Sequence, residues 1–172
     1  HHSPGERQLR RELRALWRKL GDHEALIRAC AFEQWHRLLF ARFLEANGLL
    51  IHPQHRVPVT LEECEQLAAG SGRDGWDVAA DYTAAMLPGI FRPGDPLLRV
   101  RLAPEHRDGL ERVLDSLPRE VFTSPDGLGW SYQYWQAERK KQVTGSERKV
   151  VGDDICAVTQ LFTESYMVRF LL

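Results

Sequence analysis

The segment from His23 to Asn47 constrains the fold most strongly, because its apolar residues cover nearly every side of a helix. Its apolar side chains include Leu26, Cys30, Phe32, Trp35, Leu39, Ala41, Phe43 and Leu44. A helix that is apolar on several sides is buried by its neighbours, and Gly48 follows it in a position that commonly ends helices. We therefore predict a mainly α protein, an irregular domain of six or more helices around this segment with at most a few short strands.

Length and composition place the chain among ordinary globular proteins. Its 172 residues, 43% of them hydrophobic, are enough for one domain with a core of its own. No apolar run approaches the roughly 20 residues that cross a bilayer, and no signal peptide is recognisable, so we expect a cytoplasmic protein without membrane contact. Three widely spaced cysteines favour reduced packing residues, and neither they nor the pair His52 and His55 predict a metal site.

Local signals predict most of the other helices. Thr60 and Glu63 form a capping box that opens a short helix to about Ala69, and the glycine-rich stretch 70–75 is a connector. A helix then follows to Pro88, and residues 90–103 form an irregular bridge. Pro104 begins a helix whose predicted buried side holds Leu110, Val113, Leu114 and Leu117.

The segment after Asp126 is rich in aromatic residues at helical spacing. Two faces emerge, one with Leu128, Tyr132 and Trp135 and the other with Trp130, Tyr134 and Ala137. Aromatic residues spaced in this way more often form a core than a base-stacking platform, so we predict burial on both sides.

Two basic groups are candidates for contact with DNA. The helix over residues 6–20 has leucines on one face and Arg7, Arg11, Arg14 and Arg18 on the opposite face. Residues 1–20 hold six basic and two acidic side chains, a net charge of +4 that leaves −5 for the rest of a chain whose total is −1. The second group is Arg139, Lys140 and Lys141, which precede a hydrophilic stretch at 143–146. Either group can bind phosphates, and either can be an ordinary solvated surface, the second within a mobile linker.

The last residues predict the start of another helix. Thr163 is a good N-cap residue, and Tyr166, Met167, Phe170 and Leu171 recur at helical spacing after it. Free backbone N–H groups in the first turn of such a helix favour a carboxylate or a phosphate.

Three stretches together resemble a known enzyme family. They are 31–49, Leu128–Trp135 with its Leu-Gly-Trp-Ser-Tyr-Gln-Tyr-Trp text, and 159–171 with Thr-Gln-Leu-Phe-Thr followed by Tyr-Met-Val-Arg-Phe-Leu. In this order they are similar to large adenine-specific DNA methyltransferases, including the PglX-type enzymes of phage-defence (BREX) systems and related single-chain restriction-modification proteins.

The resemblance implies a cofactor, a substrate and partners. The cofactor is S-adenosylmethionine (SAM), the substrate is double-stranded DNA, and other phage-defence or restriction subunits are possible partners. It assigns cofactor binding to Gln160, Phe162 and Thr163, although Glu164 stands where the family usually has proline. The Gly-rich SAM turn and the Asn-Pro-Pro-Tyr loop do not occur in these residues, so we expect the chain alone to be inactive and to bind no SAM.

The resemblance also divides the chain. We expect a tag remnant or disordered start at 1–5, an N-terminal helical domain at 6–144, a linker at 145–156 and the start of a Rossmann-like methyltransferase domain at 157–172. The alternative is a free-standing helical module that binds nucleic acid or another protein.

Overall fold

The computed structural model describes residues 3–92, 94–146, 150, 152, 154–159, 163 and 165–171. Over these ranges the chain forms nine α-helices and no β-strand, apart from one antiparallel bridge between Ile51 and Pro58. The helices are α1 Pro4–Leu20, α2 His23–Ala46, α3 Leu61–Ala68, α4 Gly75–Met86, α5 Pro104–Ser116, α6 Arg119–Thr123, α7 Gly127–Thr144, α8 Asp154–Thr159 and α9 Ser165–Leu171. The predicted mainly α class is confirmed.

The chain divides into two compact units, His1–Pro118 with α1 to α5 and Arg119–Leu172 with α6 to α9. Helix α8 begins at Asp154, inside the range predicted as a linker. The predicted domain bounds remain a prediction. None of the helices in the described ranges combines the length and apolar character needed to span a bilayer.

Helix α2 begins and ends where its sequence signals predict. The Asp22 carboxylate accepts hydrogen bonds from the backbone N–H groups of Glu24 and Ala25, at 3.1 and 3.3 Å. At the other end Gly48 has a φ of 67°, and the Leu49 N–H donates to the Leu44 carbonyl at 2.7 Å. The helix packs against α1, α4 and α5, and so forms the centre of the first unit.

Burial along α2 is uneven. Its buried residues are Gln34, Leu38, Leu39, Ala41, Leu44 and Ala46, all beyond its first two turns. Ile27, nearer the start, is 56% exposed. The expectation of burial on nearly every side therefore describes only the later part of the helix.

Helices α3 and α4 approach each other closely through a glycine. Thr60 and Glu63 form the predicted capping box of α3. The Gly75 N–H, in the first turn of α4, donates to Glu65 Oε2 at 2.6 Å. A Cβ at position 75 would lie 2.5 Å from that oxygen and 2.8 Å from the Glu65 backbone nitrogen, so only glycine fits without a shift of α3.

Several sequence predictions were wrong at the level of side-chain burial. On α5 only Leu114 is buried, and Val113 is 57% exposed. On α7 the second aromatic face is open to solvent, with Trp130 57% and Tyr134 86% exposed. The stretch predicted as a hydrophilic linker starts inside α7, which runs to Thr144 and buries Val143.

The end of the chain also differs from its prediction. Helix α9 begins at Ser165, two residues after the predicted start at Thr163. Its residues from 166 to 171 are all exposed. Helix α6 was not predicted, because its five residues carry no recognisable cap or period.

Candidate nucleic-acid interface

The basic face of α1 is the clearest candidate site on the chain. A capping box fixes the start of the helix: the Glu6 N–H donates to Ser3 Oγ at 3.2 Å, and the Ser3 N–H donates to the Glu6 carboxylate at 2.6 Å. Gly21, with a φ of 75°, ends it. The intervals of four, three and four residues put Arg7, Arg11, Arg14 and Arg18 on one side, in a line about 16 Å long. We call these four residues the arginine stripe.

The arginine stripe is exposed to solvent and is not paired with acidic side chains of the described residues. All four arginines are exposed, and within the described part of the chain none of them forms an ion pair or a side-chain hydrogen bond. Glu12 of the same helix is engaged elsewhere, since its carboxylate accepts from Arg99 Nη1 and from Gln8 Nε2, both at 2.9 Å. No acidic side chain in the described part of the chain therefore neutralises the charge of the stripe by direct pairing.

Arg99 connects α1 with a distant part of the first unit. Its guanidinium donates to Glu12 and, at 3.5 Å, to the Gly5 carbonyl. At the far end of α1, the Trp17 ring meets the His23 ring edge-on at a centroid distance of 5.9 Å. Sequence reasoning missed Arg99, because no local pattern connects it with a residue 87 positions away.

The three residues of the second basic group, Arg139, Lys140 and Lys141, differ in their surroundings. Arg139 Nη2 lies 2.9 Å from Asp154 Oδ1, and that carboxylate is almost fully buried. Arg139 therefore joins α7 to α8. Lys140 is half-buried and Lys141 is exposed, so these neighbouring lysines lie on different sides of α7.

Of the three residues predicted to bind SAM, the structure describes only Thr163. Thr163 is exposed and stands outside α9. Gln160 and Phe162 lie outside the described residues. The assignment of cofactor binding to these three residues therefore stays a prediction.

Arg107 forms a cluster of charges that the sequence did not suggest. Its three guanidinium nitrogens donate to Asp74, Asp77 and Glu111 at 2.7, 2.8 and 2.6 Å. Burial alone would lower the pKa of Arg107, but the hydrogen bond to Glu111 and the negative charges of Asp74 and Asp77 raise it. Burial raises the pKa of Glu111, against the pull of Arg107.

These contacts give the Arg107 cluster a structural role. Asp74 is also the N-cap of α4, where its carboxylate accepts the Asp77 N–H at 2.7 Å. One guanidinium thus ties the start of α4 to α5. Each of the three carboxylates accepts a hydrogen bond from Arg107, so the cluster stabilises the contact between the two helices.

His36 is likewise part of the packing. It lies among Phe32, Phe40 and Phe91, with ring centroids 4.8, 4.8 and 5.2 Å away. Burial lowers the pKa of His36 to about 4, so its imidazole is neutral at physiological pH. Nor does the described part of the chain bring together three His, Cys, Asp or Glu side chains that could hold a metal ion.

Comparison with known proteins gives two relatives. The chain is 25% identical to adenine-specific methyltransferase PglX of Lacticaseibacillus casei (strain Zhang), over 86% of its length and 16% of that protein's. It is 26% identical to adenine-specific methyltransferase BrxX of Escherichia coli O9:H4 (strain HS), over 87% of its length and 15% of that protein's. The chain is related to adenine-specific methyltransferases.

The relationship is distant and covers a small part of these enzymes. The chain spans about a sixth of the length of either relative. No family model matches it. No solved structure matches it either.

Proposed function

We propose that this chain is the N-terminal helical region of a SAM-dependent DNA adenine-N6 methyltransferase of the restriction-modification or phage-defence type. The observation that carries the proposal is the similarity to two adenine-specific methyltransferases along 86 to 87% of the chain. Such an enzyme works in the cytoplasm on double-stranded DNA, alone or with other restriction or phage-defence subunits. The domain bounds at residues 6–144, 145–156 and 157–172 are part of the same proposal.

In this enzyme we assign the arginine stripe to the DNA backbone. Four exposed guanidinium groups in a line about 16 Å long match the repeated charges of a duplex, and binding would release condensed counterions. The ion pair between Arg99 and Glu12 supports this role, because it engages an acidic side chain of α1 that would otherwise lie free beside the stripe. Contacts of this kind position a protein on DNA without reading its sequence.

Salt dependence tests the assignment. The chain and the variant Arg7→Gln/Arg11→Gln/Arg14→Gln are titrated with duplex DNA over a range of salt concentrations. Each lost phosphate contact should flatten the slope of log K against log salt by about 0.9, so the variant should lose a slope of about 2 to 3.

A variant with the same net charge provides the control. Arg28, Arg101 and Arg112 are three exposed arginines elsewhere on the first unit, and their change to Gln should leave the slope close to that of the unmodified chain. Equal slopes in both triple variants would make the arginine stripe an ordinary solvated surface.

In this proposal, only the complete enzyme binds SAM. Gln160, Phe162 and Thr163 would contribute one edge of the cofactor site, and SAM itself would supply the methyl group. The exposure of Thr163 fits a residue whose partners lie outside this chain. The chain alone should therefore show no SAM affinity by calorimetry.

Methyl transfer by the complete protein is the decisive test of the enzyme. The full coding sequence is expressed in cells that lack N6-methyladenine, and their DNA is digested and analysed by mass spectrometry. N6-methyladenine should appear with the complete protein and be absent with residues 1–172 alone. DNA without the modified base, from a folded complete protein, would reject the proposal.

The alternative is a helical module that binds nucleic acid or a protein without any enzyme attached. The free arginine stripe favours it, since the stripe needs no catalytic domain to bind DNA. A coding sequence that stops soon after Leu172, together with duplex binding by the chain, would select this alternative.

A further inference from the structure

The dipeptide at the end of α2, Asn47-Gly48, is chemically unlike any other in the chain. Asn47 is the one asparagine among the 172 residues, and glycine follows it directly. Both residues are exposed, and a Cβ built on Gly48 would meet no atom of the described chain within 4 Å. Water therefore reaches both residues, and no side chain at position 48 obstructs an approach of its nitrogen to the Asn47 side chain.

An asparagine followed by glycine undergoes deamidation in water without an enzyme, which is one reason why asparagine is a thermolabile residue. The Gly48 nitrogen loses its proton and attacks the side-chain carbonyl carbon of Asn47, and the side-chain nitrogen leaves as ammonia. The product is a cyclic succinimide, which water opens at one of its two carbonyl groups. Opening gives either aspartate or isoaspartate, in which the main chain runs through the former side chain and is one methylene longer.

Hydrogen bonds at the end of α2 oppose this reaction in the folded chain. The Gly48 N–H donates to the Glu45 carbonyl at 2.9 Å, and Asn47 Nδ2 donates to the Phe43 carbonyl at 2.8 Å. Attack by the Gly48 nitrogen breaks the first bond, and the loss of ammonia breaks the second. Leu50, which is fully buried, fixes the chain just beyond the turn. Deamidation therefore requires that the last turn of α2 opens first.

Either product weakens the end of the helix. An aspartate lacks the Nδ2 donor, and its negative charge lies at the C-terminal end of the helix dipole, where anions destabilise. In isoaspartate the added methylene lies between α2 and Gly48. It shifts the Leu49 N–H away from the Leu44 carbonyl, to which it donates at 2.7 Å.

We propose that Asn47 is a deamidation site whose rate is set by the opening of the last turn of α2, and that the modified residue leaves this turn less stable. Because ammonia is lost, the change is irreversible and modified chains accumulate with time. The proposal concerns the central helix of the first unit, and it depends neither on the proposed enzyme nor on the arginine stripe.

Peptide mass spectrometry of the aged 172-residue chain tests the proposal. The chain is incubated at mildly alkaline pH with and without unfolding concentrations of urea, and the mass increase from replacing NH2 by OH is followed in the peptide that contains Asn47. Chromatography separates the aspartate and isoaspartate forms. The folded chain should deamidate at least about tenfold more slowly than the unfolded chain, because only the opened fraction reacts.

Two leucine variants separate local opening from a general loss of stability. Leu50→Ala removes the buried side chain next to the turn and should raise the rate at Asn47 about threefold or more. Leu114→Ala removes a similarly buried leucine from α5 and should leave that rate within about twofold. If Leu50→Ala does not fold, the unmodified chain in urea below its unfolding transition gives the same information, since local opening predicts a faster rate before the cooperative transition begins.

Substitutions at Asn47 test the effect of the product. Asn47→Asp represents the aspartate form, and Asn47→Ala is its control because it removes the same donor without adding a charge. The midpoint of thermal unfolding should be about 1 to 4 °C lower in Asn47→Asp than in Asn47→Ala.

Four results would overturn the proposal. The first is no deamidation of Asn47 in the unfolded chain, and the second is an equal rate in the folded and unfolded chains. The third is an equal acceleration by Leu50→Ala and Leu114→Ala, which would assign the reaction to global unfolding. The fourth is an equal thermal midpoint for Asn47→Asp and Asn47→Ala, which would show that the product does not weaken the helix end.

Discussion

His36 illustrates how one residue on the central helix couples stability to pH. The folded chain holds the imidazole among aromatic rings and lowers its pKa to about 4, whereas an unfolded chain has a pKa near 6.5. Between these values the unfolded chain binds a proton that the folded chain does not. Stability is therefore full above about pH 6.5 and falls as the pH is lowered towards 4.

We predict that protonation of His36 in the unfolded chain lowers the free energy of unfolding by about 1 to 2 kcal/mol at pH 4 relative to pH 7. This value allows for solvent screening of a partly exposed group. In His36→Phe, which keeps a ring in the cluster, this part of the pH dependence should disappear. Urea unfolding at several pH values measures it. His106→Gln, at an exposed histidine, should retain the slope, and an unchanged slope in His36→Phe would refute the assignment.

Helix ends were predictable from the sequence because their signals are local. The Thr60 capping box and Pro104 each mark a start that the structure confirms. Burial was less predictable, since it depends on which neighbours cover a face. Trp130 and Val113 have apolar side chains at helical spacing, but their local sequence does not indicate that they are exposed to solvent.

At the contact of α3 and α4, we predict that Gly75→Ala destabilises the chain by about 1 to 3 kcal/mol. The added Cβ would meet Glu65 at 2.5 to 2.9 Å, and two of the three nearest atoms belong to the backbone. Thermal and denaturant unfolding measure the loss. Gly89→Ala is the matched control, because a Cβ there meets nothing within 4 Å and should change stability little.

The contact of α4 with α5 depends on Arg107. We predict that Arg107→Leu costs about 2 to 4 kcal/mol of unfolding free energy, because three carboxylates lose their common donor and two of them are mostly buried. Denaturant unfolding at pH 7 gives the value.

Arg73→Leu serves as the comparison for Arg107. Its ion pair with Asp81 is largely exposed, so the loss should stay below about 1 kcal/mol. Equal costs at the two arginines would show that the Arg107 cluster adds nothing beyond a surface ion pair.

For binding of the whole molecule to a charged surface, the distribution of charge along the chain matters more than the net charge. The net charge is −1, but residues 1–20 carry +4 and the remainder −5. We predict that the chain binds a cation exchanger at pH 7.5 and low salt, although its isoelectric point is about 6.7. Arg7→Gln/Arg11→Gln/Arg14→Gln should elute at much lower salt than Arg28→Gln/Arg101→Gln/Arg112→Gln, which has the same net charge. Elution of both variants at the same salt concentration would contradict the prediction.

The candidate sites were predictable to the extent that each lies within one helix. The arginine stripe follows from the period of α1, and the structure adds that its members are exposed. Arg99 and Arg107 bind carboxylates of residues that lie 87 and 33 positions away in the sequence. No local periodic pattern can identify such contacts. Three sequence motifs predicted a relation to adenine-specific methyltransferases. Two such proteins, 25 and 26% identical to the chain, support that relation.

The attachment of α1 by Arg99 has a consequence for synthesis on the ribosome. Helix α1 emerges before the rest of the first unit, but it has no fully buried residue, and the Arg99 that pairs with Glu12 follows 87 residues later. During that interval the nascent helix has only its own capping and, later, α2 to hold it. The ion pair that joins α1 to Arg99 therefore forms late in translation, after most of the first unit has left the exit tunnel.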